Sequence, residues 1–148
     1  MSKGFVFRFQ SILNLRDKVE ESKRHDFGIA VRKLETEKTH LSSLQTKRKE
    51  MIENFNMKSQ NAITTVREYR NTSNNLQLVD KSIRKQNNII NGHETEVEQC
   101  KVALINAKKE TKILEKVKEN DLSHFNYKVA KNEEMLIDHF VSYKSSRK

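Results

Sequence analysis

The chain has 148 residues and a formal charge of +9, with 34% apolar and 33% charged residues, three glycines, one cysteine and no proline. A single cysteine excludes an internal disulfide and any multi-cysteine metal site. Compact domains draw on proline and glycine for their turns, so a chain this short of both travels far between reversals, and its charge and periodicity point to a rod of long helices.

The first element opens on F-V-F-R-F-Q-S-I-L-N-L-R. Phe5, Phe7 and Phe9 alternate as on a strand, whereas Ile12, Leu15 and Val19 follow at helical spacings. Arg8 and Gln10 interrupt the apolar run that a secretory signal needs. No window approaches the ~20 apolar residues of a membrane-spanning helix. The chain is therefore expected to be cytoplasmic and unprocessed.

A first helix is predicted over about residues 5–55. Taking Val31 as a heptad a position sets Val31, Leu34, Lys38, Leu41, Gln45, Arg48, Ile52 and Phe55 on its seam, with Leu44 and Met51 beside it. A second helix is predicted over about 65–142. Its seam reads Tyr69, Thr72, Leu76, Val79, Ile83, Gln86, Ile90, His93, Val97, Cys100, Leu104 and Ala107, continuing through Leu114, Val117, Phe125, Val129, Leu136 and Phe140. In this reading the two seams are out of phase at Tyr69, so something between them resets the register.

The intervening N-F-N-M-K-S-Q-N-A-I-T-T is rich in residues that favour turns. Thr65-Val66-Arg67-Glu68 then reads as a capping box. The bend is placed at about 56–64. Residues 71–75 and 91–92 rank behind it, because the second seam runs through both in phase. Gly92 is read as a helix glycine costing ~1 kcal/mol, with a kink as the alternative.

The expected fold class is all-α: a single elongated domain over 1–148, built as a long two-helix antiparallel coiled-coil hairpin. Pairing outward from the bend sets residue 10 near residue 110 and leaves residues beyond about 115 overhanging. It also gathers the N-terminal phenylalanines with Phe125, Phe140 and Tyr143 at the open end. There they either close a small core or are offered to another protein.

Little in the sequence carries chemistry. The histidines stand on separate turns without the convergence a zinc site needs, and Cys100 falls on a d position, where a structural thiol is expected. No glycine-rich phosphate loop is present, and two paired helices offer no water-excluding pocket. No enzyme activity, metal or cofactor is expected. The basic residues are interleaved with acids one helical turn away, as in Glu20 with Arg24, Asp80 with Arg84 and Glu115 with Lys118. The densest basic run, Lys47-Arg48-Lys49, is short, which favours a solvated helical surface over a nucleic-acid site.

Both ends and the middle carry a resemblance. Phe5-x-Phe7-Arg8-Phe9-Gln10-x-Ile12-Leu13-x-Leu15-Arg16, with Glu20 following, resembles the opening of the flagellar export protein FliJ family. Leu114-Glu115-Lys116-Val117-Lys118-Glu119 is similar to that family's L-E-K-hydrophobe-K-E segment. Thr65-Val66-Arg67-Glu68 and Asp80-Lys81-Ser82-Ile83 fall where such proteins begin their second helix. Leu136-Ile137-Asp138-His139-Phe140-Val141 is similar to the family's closing L-D-E-hydrophobe signature, except that His139 stands where an acid is usual.

The resemblance implies a component of the flagellar type III export apparatus, an antiparallel coiled coil like the central-stalk γ subunit of rotary ATPases. Its implied partners are the hexameric export ATPase, the export-gate membrane protein and substrate chaperones. Its implied place is the cytoplasmic face of the inner membrane at the flagellar base, held there peripherally through the gate. Aromatic and arginine side chains dominate binding hot spots, so Phe5, Phe7, Arg8, Phe9, Gln10, Leu13, Arg16 and Phe140 are the candidate ATPase-docking residues. Leu76, Val79 and Ile83 are candidates for gate contact by resemblance alone. The competing readings are a scaffolding coiled coil and a basic nucleic-acid binder.

Overall fold

A computed structural model describes residues 4–60 and 65–147. They form two long helices packed against each other, α1 over Gln10–Gln60 and α2 over Val66–Ser146. No strand occurs among the described residues. This is the all-α helical hairpin that the heptads predict.

Helix α1 starts later than residue 5. Residues 4–7 are irregular, and a turn at residues 8–9 leads into the helix, with the Gln10 amide donating to the Phe7 carbonyl at 3.1 Å and the Leu13 amide to the Phe9 carbonyl at 2.9 Å. The first turn has no acid, and no Ser, Thr, Asp or Asn stands at residue 9 to cap it. The start is set instead by aromatic packing: Phe7 is buried and meets Phe9 edge-on at 5.8 Å.

At its other end α1 continues through residues 56–60, half of the expected bend. Asparagine costs only a fraction of a kcal/mol in a helix, which a helix already anchored by Phe55 on Tyr69, 5.8 Å apart, absorbs. The rest of that bend, 61–64, lies outside the described residues. Helix α2 then begins on a working cap. The Thr65 hydroxyl accepts the Glu68 amide at 3.2 Å, and the Glu68 carboxylate sits in the first turn, where the helix dipole favours it.

The chain divides into two compact units, Arg24–Ala103 and Met1–Lys23 with Leu104–Lys148. In Arg24–Ala103, Ala30, Leu34, Val79 and Ile90 form the core. Gln86 is buried among them at 3% exposure. Its amide nitrogen donates to the Glu37 carbonyl at 2.9 Å and to the Glu37 carboxylate, and its amide oxygen lies 3.1 Å from His40 Nδ1. Arg48 Nε donates to Asp80 Oδ1 at 2.7 Å. Residue 37 thus meets 86, 48 meets 80 and 55 meets 69, which is an antiparallel ladder.

Burial along α1 in this unit recurs at Ala30, Leu34, Glu37, Leu41, Leu44, Arg48, Met51 and Phe55. Half of the seam read from the sequence is therefore one residue off. Lys38 and Gln45 are exposed, and Glu37 and Leu44 take their places. Val31 and Ile52 are half-buried beside the true seam and drew the phase toward themselves. In the corrected register, steps of seven from Leu34 reach Phe55 and then Tyr69, so the two seams share one phase and no reset occurs.

In the other unit, Phe7, Leu13, Leu104 and Ala107 are buried together with Thr111. Arg16 pairs with Glu110 at 2.6 Å, Lys118 Nζ donates to Gln10 Oε1 at 2.8 Å, Arg8 lies 3.9 Å from Asp121, and the rings of Phe5 and Phe125 are 5.6 Å apart. The pairing is again antiparallel, but residue 10 faces 118 instead of 110. A first helix that runs to Gln60 moves the pairing centre toward higher numbers. The overhang consequently begins later than 115, and every described residue from 130 onward is exposed.

The helix glycines give one prediction. α2 is helical through Gly92, and a Cβ added at Gly28 or Gly92 meets nothing within 4 Å. Gly28→Ala and Gly92→Ala should each raise the unfolding free energy by ~1 kcal/mol in urea titrations. A loss of stability at either would reveal a requirement for glycine that its surroundings do not show.

Candidate functional site

The N-terminal motif is divided between inside and outside by its own local structure. The irregular stretch before α1 turns Phe7 inward, while Phe5 and Phe9 are half-buried and Val6 is 85% exposed. Once the helix begins, Leu13 lies in the core, and Ile12 and Leu15 face outward. Sequence spacing had placed Ile12, Leu15 and Val19 on the apolar stripe. The observed stripe passes through Leu13 and the half-buried Arg16, with Val19 half-buried beside it.

The polar members of the motif are set by antiparallel pairing. The Arg8 side chain is 72% exposed, with its guanidinium 4.7 Å from the Phe9 ring centroid and 3.9 Å from Asp121. Arg16 is held by Glu110. Gln10 accepts from Lys118 and donates from Nε2 to Asn14 Oδ1 at 2.9 Å. Exposed pairs of this kind contribute ~0–1 kcal/mol each. They orient the arginines while leaving them open to a partner.

Phe5 is therefore brought onto Phe125 and Phe7 onto Phe9, and Phe7 and Leu13 are turned into the core. Phe140, expected in the same cluster, is 60% exposed and stands well beyond Phe125 on α2. The later pairing register places it there. Sequence reasoning missed the outward trio Val6, Ile12 and Leu15. Its signal lay in the heptad that puts Leu13 at a core position.

The second candidate segment lies on the seam. Val79 is buried, Leu76 and Ile83 are half-buried, and Asp80 is engaged by Arg48. The outward side of the same turns carries Leu78, Lys81, Arg84 and Lys85, all exposed. No helix among the described residues is long and apolar enough to cross a membrane.

The family model described as Flagellar FliJ protein matches residues 5–148. The chain belongs to the FliJ family. No curated protein and no solved structure matches it. FliJ membership makes the chain a component of the flagellar export apparatus, in a family of export components and not of enzymes. The match begins at Phe5, so the aromatic and arginine motif described above lies within the FliJ-like region from its first residue.

Proposed function

We propose that this FliJ-family chain is a γ-stalk-like coiled coil that binds the hexameric flagellar export ATPase and links it to the export-gate membrane protein and to substrate chaperones. The observation that carries the reading is the family match over nearly the whole chain. The N-terminal motif supplies the ATPase-docking surface. Arg8 and Arg16 are presented beside the exposed Val6, Ile12 and Leu15, and apolar groups flanked by arginine suit a hot spot. Phe7 and Leu13 serve that surface from beneath, as its support.

Gate contact falls to the outward residues of the 76–85 segment, Leu78, Lys81 and Lys85, because Leu76, Val79 and Ile83 are occupied in the seam. The gate holds the chain peripherally at the cytoplasmic face of the inner membrane. Nucleic acid has no place in this account. Arg8, Arg16 and Arg48 each have an acidic neighbour on α2, which weighs against their serving a phosphate backbone.

Isolation of the tagged full-length chain from its own cells tests the reading. The export ATPase and the gate protein should both be recovered, and Leu78→Glu/Lys85→Glu should lose the gate while keeping the ATPase. Recovery of neither would leave a scaffolding coiled coil as the better description.

A further inference from the structure

Helix α2 keeps its apolar stripe after α1 has ended. The face that holds Phe125 against Phe5 and half-buries Val129 continues as Leu136, Phe140 and Tyr143, at spacings of four and three, with Ile137 and Val141 alongside. All five are more than half exposed. No residue of α1 reaches them.

The charges at the two ends of this stripe are opposite. Glu133 and Glu134 precede it by less than one turn. Lys144 and Arg147 follow it, each laid back over a ring of the stripe: Lys144 Nζ is 5.3 Å from the Phe140 centroid and the Arg147 guanidinium 5.2 Å from that of Tyr143. Those contacts fix both cations at the border of the apolar surface.

We propose that the 133–147 segment pairs with the same segment of a second copy of this chain, antiparallel and about a two-fold axis. With Leu136 of one copy on Phe140 of the other, Glu133 of each faces Tyr143 and adjoins Lys144 of its partner, Glu134 faces Ser142, and Arg147 lies one turn further on. A parallel arrangement would set acid on acid and base on base, which is destabilising. The two-fold contact is self-complementary in charge, as an isologous interface requires. It also extends an interface already in use, the stripe on which Phe5 packs. The segment is a helix about 15 residues long, or ~22 Å, so the contact lies at the small end of the interface range. It is a dissociating dimer, not an obligate one. This pairing does not depend on ATPase docking, and its readouts do not include ATP hydrolysis.

Sedimentation of the full chain over roughly 1–200 μM, the range in which small interfaces dissociate, should show its mass rising from one chain to two. Leu136→Glu/Phe140→Glu should remain a single chain throughout with unchanged helicity. Glu133→Lys/Glu134→Lys and Lys144→Glu/Arg147→Glu should each weaken pairing by about tenfold or more, equivalent to ~1.4 kcal/mol. Combining the four charge changes should restore pairing, since each copy then again meets its opposite. A single-chain mass at the highest concentration overturns the proposal, as does a dimer that survives Leu136→Glu/Phe140→Glu. A four-fold charge variant that pairs no better than its parents overturns the antiparallel arrangement.

Discussion

Phe7→Ala will lower the unfolding free energy by about 3–5 kcal/mol, the cost of emptying a buried phenylalanine site. Phe7 is only 5% exposed, although it stands outside any helix and near the start of the chain. Its edge-on contact with Phe9 adds to the burial term by ~0.5–1.5 kcal/mol. The neighbouring Val6→Ala should change stability by no more than ~0.5 kcal/mol, because Val6 is almost fully exposed. Urea titrations of the two variants decide whether the motif has this inside and outside. Equal, small losses would make Phe7 a solvent-facing anchor and remove the aromatic support beneath Arg8.

Leu34→Ala will be nearly as costly, at about 2–5 kcal/mol, since Leu34 sits in the core of the Arg24–Ala103 unit. Leu34 belongs to both registers of α1, so the discriminating pair lies further along. Leu44→Ala should cost ~1–3 kcal/mol for a half-buried leucine, and Gln45→Ala less than ~0.5 kcal/mol. The reverse order would restore the seam through Val31, Lys38 and Gln45 and with it the phase reset near the bend. The same urea titrations report both variants.

The second helix was the more legible of the two because its seam is carried by small and aliphatic residues. Val79, Ile90, Leu104 and Ala107 all fall on one seam of alternating three- and four-residue steps and are buried where the heptad places them. Thr65 announces its own helix start through a hydroxyl that only a cap uses this way. The first helix hides its seam because Glu37 and Arg48 occupy core-facing positions, satisfied by Gln86 and Asp80 across the interface. Partners of that kind are invisible until the pairing register is known. The register in turn depends on where α1 ends, and propensity alone ended it too early at the asparagines. Every site residue placed by pairing inherited that error: Gln10 met Lys118 instead of the region of residue 110, and Phe140 was drawn into a cluster it does not join. The contact of Phe5 with Phe125 was readable from their positions at the open end of the pairing.

The central claim, that the arginine-flanked N-terminal surface docks onto the export ATPase, is tested most directly by ATP hydrolysis with purified components. The wild-type chain should stimulate the hexameric export ATPase of the same organism. Arg8→Glu/Arg16→Glu should raise the concentration needed for half-maximal stimulation by about tenfold or more, a loss of at least ~1.4 kcal/mol of binding. Adding Asp121→Arg and Glu110→Arg re-forms both ion pairs with their signs exchanged, so it returns any stability lost with them while keeping the docking surface reversed. That four-residue variant should fold like the wild type and still need about tenfold more protein for half-maximal stimulation. Half-maximal stimulation by either variant at the wild-type concentration would contradict the account.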